Sequence, residues 1–139
     1  MADATTPTGS AQAIAVSALR AQQARMRIIA ENLANANSTS KTPGGDPYVR
    51  QKPMFQPTKV ADGLGVKMAR VAADKTPFPS TYEPGNPSAD AKGYVKTPNV
   101  DPLIEAMDMR EAQRAYEANL NVIETARAMD TRTLDLLKR

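Results

Sequence analysis

Apolar residues recur at helical spacing near both ends of the chain, and the segment between them has no such period. Over residues 11–36 they follow one another at intervals of three, seven, three and four, in the order Val16, Leu19, Met26, Ile29 and Leu33. The seven-residue steps from Leu19 to Leu33 are typical of a helix that packs lengthwise against another helix. The pattern predicts a long N-terminal helix, which we expect to start near Ser10 as its N-cap.

A second helical pattern fills residues 101–137. Asp101 is a suitable N-cap, and Pro102 takes the first helical position, where its missing N–H is harmless. On a helical wheel one face carries Ala115, Ala118, Val122, Ala126, Met129 and Leu136, and the adjoining face carries Tyr116, Leu120, Ile123, Leu134 and Leu137. Together they span roughly 200°, about twice the arc that packing on one core requires. Because Asn119 and Asp130 fall between the faces, we expect two stripes, one for the first helix and one for a second neighbour.

The middle of the chain breaks every helical pattern, and it holds nine of the eleven prolines. Two stretches, 48–55 and 64–71, have the character of strands, and Asp62-Gly63 before the second is suited to a turn. We therefore expect a hairpin there. Residues 76–99 are richer still in proline, and their composition is equally compatible with an extended, partner-dependent segment and with a flexible linker.

These elements predict a mainly α fold with a small β or extended middle. We expect the long N- and C-terminal helices to pack as an antiparallel, coiled-coil-like pair, with the β-hairpin and the proline-rich segment between them. The corresponding divisions are a disordered leader over 1–10, the N-terminal helix over 11–40, the middle over 41–100 and the C-terminal helix over 101–139. With two Phe, four Tyr and no Trp, the core is modest, which favours stabilisation by partners.

The composition excludes most catalytic chemistry. His and Cys are both absent, so His-based acid–base catalysis, Ser-His and Cys-His triads and the usual zinc sites cannot form. The best candidate for a metal or acid–base site is a row of acids on the second helix: Asp101, Glu105, Asp108 and Glu111. No other element is expected to supply converging oxygen ligands, so a solvated or partner-facing turn is favoured. Gly63-Leu64-Gly65 lacks the third glycine of a phosphate loop and is interpreted as a turn.

The net charge of +3 is unevenly distributed: residues 11–36 carry +2, the second helix carries eight acids against six bases, and the middle is basic. The bases Lys41, Arg50, Lys52 and Lys59 could bind nucleic acid or acidic lipid. They are scattered and lack interleaved aromatic residues, so salt bridges to neighbouring subunits are favoured. No stretch approaches the roughly 20 apolar residues of a membrane span, and the first ten residues lack the features of a cleavable signal peptide. We expect no cofactor, no nucleic acid and no direct membrane insertion.

Two segments resemble the signatures of a known family. Residues 30–39, Ala-Glu-Asn-Leu-Ala-Asn-Ala-Asn-Ser-Thr, are similar to the Asn-rich end of the first helix in bacterial flagellar rod and hook proteins. Residues 114–119, Arg-Ala-Tyr-Glu-Ala-Asn, resemble the signature of their C-terminal helix. Further stretches narrow the resemblance to the proximal rod members of the basal-body rod family; they are residues 44–50, 82–87, 93–95 and 98–101.

The resemblance implies a structural subunit of the flagellar basal-body rod, a helical tube that transmits torque and encloses the export channel. It implies copies of this chain and other rod proteins as partners, export by the flagellar type III apparatus without a cleaved signal peptide, and a place in the periplasm-spanning rod. The helical patterns and the signatures predict a subunit interface that contains Leu19, Met26, Ile29, Leu33, Asn35, Asn37, Tyr116, Asn119, Val122, Ile123, Met129 and Leu136.

An enzyme is disfavoured because the residues for catalysis are missing. The remaining alternative is a soluble helical adaptor or chaperone-like binding module. Roughly sixty residues with nine prolines between the helices argue against it, because closed helical hairpins use short loops.

Overall fold

The computed structural model describes residues 7–139, including the side chains of residues 9–139. Two long helices flank four strands, in the order α1 (Pro7–Ala34), β1 (Gln51–Val60), β2 (Gly63–Ala73), β3 (Ser80–Tyr82), β4 (Tyr94–Lys96) and α2 (Pro102–Leu137). The prediction of a mainly helical chain with a small β part between its terminal helices is confirmed. No helix within these residues is both long and apolar enough to cross a membrane.

Helix α1 begins earlier than the apolar pattern predicts. It starts at Pro7, a residue suited to the first helical turn because its φ is already helical and its missing N–H needs no partner there. Ser10 therefore lies inside the helix, and its predicted role as the N-cap is wrong. Of the predicted disordered leader, residues 1–6 lie outside the described residues, whereas residues 7–10 are helical.

Helix α2 begins as the sequence predicts. The Oδ1 atom of Asp101 accepts hydrogen bonds from the backbone N–H groups of Leu103, at 2.9 Å, and Ile104, at 3.4 Å. Pro102 is the first helical residue, and the helix continues for 36 residues to Leu137. The cap thus satisfies two of the N–H groups that every helix start leaves without an intrahelical partner.

Strands β1 and β2 pair as the predicted hairpin, with the turn one residue earlier than expected. The turn residues are Ala61 and Asp62, and Gly63 already belongs to β2. Ala61 has a φ of 49°, a left-handed conformation that residues with a Cβ adopt infrequently. Because Gly63 and Gly65 are strand residues, the prediction that they form a turn is wrong.

Two prolines lie inside β1, which continues to Val60, beyond the predicted strand-like stretch 48–55. Pro53 and Pro57 are four residues apart, so both present their nitrogen atoms to the same edge of the strand. The backbone N–H and C=O of Gln51, on that same edge, bond to the Asn32 side chain rather than to β2. The prolines therefore remove no hydrogen bond from the hairpin, and β1 continues to Val60.

The proline-rich residues 76–99 contain a second hairpin rather than only an extended segment or linker. Strands β3 and β4 pair antiparallel, with Thr81 opposite Val95. The backbone N–H of Glu83 extends the ladder by donating to the carbonyl of Gly93 at 2.8 Å. Val95 is almost fully buried, so this hairpin packs one side into an interior.

The chain forms two compact units, and unit 1 comprises residues 7–26, Pro53–Arg70 and Arg110–Arg139. In this unit α1 and α2 run antiparallel, because Gln12 donates to Asp130 at 3.1 Å while Arg25, further along α1, pairs with Glu111 at 3.3 Å. The buried apolar side chains are mostly small and allow close approach of the helices; they are Ala15, Ala21, Ala112, Ile123 and Ala126.

Unit 2 comprises Arg27–Lys52 and Val71–Met109. Its buried apolar side chains are Ile28, Ile29, Ala36, Val95 and Val100. Three polar residues are also buried, namely Asn32, Ser88 and Glu105. Burial of polar groups costs free energy unless they are hydrogen-bonded, so these residues indicate a specific network inside this unit.

Candidate functional site

The predicted interface residues fall into three groups by exposure. Exposed side chains belong to Asn37, Val122, Met129 and Leu136; partly buried ones belong to Leu19, Met26, Leu33, Asn35, Tyr116 and Asn119; and Ile29 and Ile123 are buried. Ile29 contributes to the interior of unit 2 and Ile123 to that of unit 1. The exposed group is therefore the part of this set that is most open to another subunit, and the partly buried group is open to a smaller extent.

Val122, Met129 and Leu136 form an exposed apolar row on α2, which we call the α2 stripe. Their exposed fractions are 46%, 56% and 72%. They lie seven residues apart, the spacing at which one helix presents side chains to another in a coiled coil. On the adjoining face Leu120, Leu134 and Leu137 are exposed as well. This much large apolar surface on one helix indicates a contact with a partner.

Asp130, one of the two polar residues between the predicted apolar faces of α2, contacts α1 in unit 1. Asp130 accepts the hydrogen bond from Gln12, and Asn119 donates to the Ala115 carbonyl of its own helix at 2.8 Å. These two residues separate the two predicted apolar faces. The boundary between the faces therefore meets α1, and the outer parts of both faces stay exposed.

Unit 1 also contains a groove of about 730 Å³ between α1 and the β1–β2 hairpin, which we call the α1 groove. Its lining is largely apolar and includes Ala13, Val16, Val60, Val66 and Met68. Two bases, Arg20 and Lys67, also line it and are exposed.

Glycines bring the hairpin close to α1 and shape the α1 groove. A Cβ on Gly63 would lie 2.7 Å from Cδ1 of Ile14, and one on Gly65 would lie 2.4 Å from Oγ of Ser17. The Ser17 hydroxyl accepts a hydrogen bond from the Val66 N–H at 3.1 Å and donates to the Ile14 carbonyl at 2.6 Å. The position of the hairpin on α1 is thus set by close packing and by a hydrogen bond.

Asn32 connects α1 with the chain that enters β1 in unit 2. Its Oδ1 accepts hydrogen bonds from the Gln51 N–H and the Tyr48 hydroxyl, both at 2.9 Å. Its Nδ2 donates to the Gln51 carbonyl at 2.9 Å and to Glu105 at 3.2 Å. The side-chain amide therefore bonds to the Gln51 backbone as a neighbouring strand would, and it uses both of its donors and two acceptor positions.

Glu105 and Arg50 form the charged centre of unit 2. The Glu105 side chain is 1% exposed; one oxygen accepts from Asn32 and the other from Nε of Arg50. Arg50 also pairs with Asp74 at 3.2 Å and Asp108 at 3.7 Å. Burial lowers the pKa of Arg50, but its bonds to Glu105 and Asp74 raise it more, so the pKa lies above the ordinary value. A buried carboxylate requires such pairing.

Asp74 and Asn99 complete the set that we call the polar network, which consists of Asn32, Arg50, Asp74, Asn99 and Glu105. Hydrogen bonds from the Thr76 hydroxyl at 2.7 Å, from Lys52 at 2.9 Å and from the Thr76 N–H at 3.0 Å hold the pKa of Asp74 well below its usual range. Asn99 accepts from the Arg50 N–H at 2.8 Å and donates to the carbonyls of Asp74 and Thr76. Side chains thus fix both the base of the hairpin and the segment before α2.

The polar network corrects two interpretations of the sequence. Glu105 is buried rather than solvated, and Arg50 and Lys52 bridge to Asp74 within unit 2 instead of to a neighbouring subunit. The row of acids on α2 is divided: Glu105 and Asp108 pair with Arg50, Glu111 pairs with Arg25 in unit 1, and Asp101 is the helix cap. Among residues 7–139 no cluster of three or more ligating side chains could hold a metal ion.

Sequence reasoning missed Asn32 as a structural residue, although a signal was present. Asn32 lies one turn after the apolar Ile28 and Ile29, and a polar residue on an apolar helix face indicates a buried hydrogen bond. By contrast, Asn35 donates to the Glu31 carbonyl of its own helix at 2.8 Å, and Asn37 is exposed. Of these asparagines, Asn32 is the one that holds separate elements together.

Comparison with known proteins adds evidence for the family. Residues 13–40 match the family model described as "Flagella basal body rod protein", and residues 91–136 match "Flagellar basal body rod FlgEFG protein C-terminal". Flagellar basal-body rod protein FlgC of Agrobacterium fabrum is 48% identical over 134 residues, which cover 95% of this chain and 96% of the relative. The chain belongs to the FlgC family.

Other members of the FlgC family are nearly as similar. The FlgC protein of Escherichia coli O6:H1 is 47% identical over 126 residues, covering 88% of this chain and 92% of the relative, and that of Salmonella typhimurium is 46% identical over the same length. Membership of the FlgC family confirms the resemblance found in the sequence. It also confirms the prediction of a structural subunit of the flagellar basal-body rod rather than an enzyme.

Proposed function

We propose that this FlgC-family chain polymerises, with copies of itself and other rod proteins, into a helical tube that transmits torque and encloses the export channel. The exposed α2 stripe is the main evidence for this assembly. The fold leaves Val122, Met129 and Leu136 exposed although α1 already packs against α2 in unit 1. A neighbouring subunit that covers the stripe would remove this apolar surface from water, which is favourable at about 25 cal/mol per Å².

In the assembled rod, the terminal helices form the inner helical layer and a coiled-coil-like contact joins the α2 stripe to a neighbour's helix. The seven-residue spacing of the stripe supports this arrangement, as does the seven-residue series Leu19, Met26 and Leu33 on α1, whose side chains are only partly buried. The middle residues 41–100 make the outer contacts to adjacent subunits.

Torque transmission requires subunits that do not deform under load. The polar network supports this role because it ties α1, β1 and α2 together inside unit 2 through charged and amide side chains with little access to water. Charge-assisted hydrogen bonds of this kind are shorter and stronger than neutral ones and restrict geometry.

Export by the flagellar type III apparatus brings the chain to the rod. The absence of cysteine is compatible with passage as an unfolded chain, because no disulfide has to be broken or re-formed. Secretion of the chain in a strain with a disabled export gate would contradict this part of the proposal, since export is expected to stop there.

Val122→Asp tests the role of the α2 stripe. Val122 is exposed, so the free subunit is expected to tolerate the substitution, whereas a buried charge at a subunit contact prevents assembly. In a strain that lacks the native chain, the variant should be secreted but absent from isolated basal bodies. Asn121→Asp, which adds the same charge at the adjacent exposed position, should assemble. Normal rods and motility with Val122→Asp would contradict the proposal.

A further inference from the structure

An apolar projection lies at the start of α2 in unit 2. Leu103, Ile104 and Met107 are 70%, 51% and 63% exposed. Ile104 and Met107 follow Leu103 by one and four residues, which places the three side chains on one side of the helix. We call this set the α2 knob. Asp101, the exposed N-cap, adds a carboxylate beside it.

The α1 groove of unit 1 has complementary chemistry. Its lining is apolar, with Ala13, Val16 and Met68 among its residues, and Arg20 and Lys67 provide positive charge. Neither base forms a salt bridge within residues 7–139. The groove thus combines an apolar surface with cations whose counter-charges are not supplied by the described part of the chain.

We propose that the α2 knob of one copy occupies the α1 groove of the next copy, with Asp101 of the first directed toward Arg20 and Lys67 of the second. This inference rests on the proposed function, because it describes one contact of the assembled rod. The contact removes apolar side chains of both copies from water, and opposite charges at its edge set the orientation of one copy relative to the other.

The geometry of the contact accounts for open-ended growth. The knob and the groove are different surfaces of one chain, so their contact is head-to-tail. A pair of copies still presents the free groove of the first copy and the free knob of the second. Contacts of this type produce a helical polymer whenever the rotation between copies does not close a ring.

Both surfaces are formed before the copies meet. The Asp101 cap orders the first turn of α2, and the close approach at Gly63 and Gly65 fixes the hairpin wall of the groove. Association therefore requires little ordering of the backbone, which keeps the entropic cost of binding low.

Cysteine cross-linking tests the contact directly, because the native chain contains no cysteine. A chain that carries both Ala13→Cys and Met107→Cys is expressed in cells that lack the native chain, and basal bodies are isolated and oxidised. We expect disulfide-linked oligomers of this chain, with a peptide that joins positions 13 and 107 of two copies. The control pairs Ala13→Cys with Lys92→Cys, an exposed position in unit 2 outside the knob, and should yield no oligomers above the unoxidised sample.

The possible results distinguish a failure of this contact from a failure of the proposed rod assembly. Rods that contain the double variant but show no link between positions 13 and 107, or that link it only to chains of another mass, would overturn the contact and leave the rod assignment intact. Absence of the unmodified chain from isolated rods would overturn the rod assignment itself. If the double variant fails to enter rods, the single variant Met107→Glu tests the contact instead. A charge on the knob should lower the number of rods about tenfold or more. Wild-type motility of this variant would overturn the contact.

Discussion

Asn32 shows how a single side chain can fix three elements at once. It bonds to the Gln51 backbone, to the Tyr48 hydroxyl and to Glu105, and it is 1% exposed. Its position on an apolar helix face can be read from the sequence. Its partners cannot, because they are 16 to 73 residues away and are brought close only by the fold. The same holds for Arg50: its charge is visible in the sequence, but the carboxylates that pair with it come from α2 and from the segment after β2.

Substitution of Asn32 by alanine should destabilise unit 2 strongly. It leaves the Gln51 N–H and one Glu105 oxygen without their partner in a buried site, and each unsatisfied polar group costs about 1–3 kcal/mol. We expect a clear drop in the urea midpoint of the purified chain, measured by circular dichroism. Asn37→Ala, at an exposed position in the same Asn-rich run, should change stability by less than about 0.5 kcal/mol. Equal midpoints for the two variants would contradict this role of Asn32.

Asp74 makes the stability of unit 2 depend on pH in the acidic range. Because the pKa of Asp74 is lowered in the folded state, its contribution is complete above the unfolded pKa of about 3.9 and is lost as the pH falls toward the folded value. Asp74→Asn should therefore be less stable than the native chain at pH 7. The difference should shrink as the pH falls below about 4, measured by urea unfolding at each pH. A constant difference from pH 7 to pH 2 would contradict the assignment.

Helix caps and hydrophobic alternation predict the helices and strands better than proline content does. Asp101 and Pro102 predict the first residue of α2 correctly, and the two strand-like stretches predict the first hairpin. Proline content misleads over residues 76–99, which contain the paired strands β3 and β4. Pro53 and Pro57, by contrast, lie on the edge of β1 that does not pair with β2, where proline costs no ladder hydrogen bond.

The β3–β4 hairpin requires glycine at one position and tolerates other residues at another. Gly93 has a φ of +84°, and a Cβ there would lie 2.9 Å from the Tyr82 ring. Gly93→Ala should therefore destabilise the chain by about 1–3 kcal/mol. Gly85→Ala is the matched control, because a Cβ at Gly85 meets no atom within 4 Å and its φ is not left-handed. Equal thermal midpoints for the two variants would show that the backbone at Gly93 is not constrained.

For the whole molecule, the width of the apolar arc on α2 predicts the most about function. The two apolar faces and the polar residues between them are visible in the sequence, and the structure places Asp130 against α1 while Met129 and Leu136 stay exposed. Periodicity cannot show that the boundary between the two faces, rather than one whole face, meets α1. That placement depends on pairs such as Gln12 with Asp130 and Arg25 with Glu111, which form across the two helices of unit 1.

In the assembled rod, we expect neighbouring subunits to cover the α2 stripe. Met129→Cys places the only thiol of the chain on that stripe at a 56% exposed position, with a side chain of similar polarity. We expect a maleimide reagent to label the Met129→Cys monomer within minutes but to leave the same variant in isolated basal bodies largely unlabelled until they are dissociated. Equal labelling of the monomer and of intact basal bodies would contradict it.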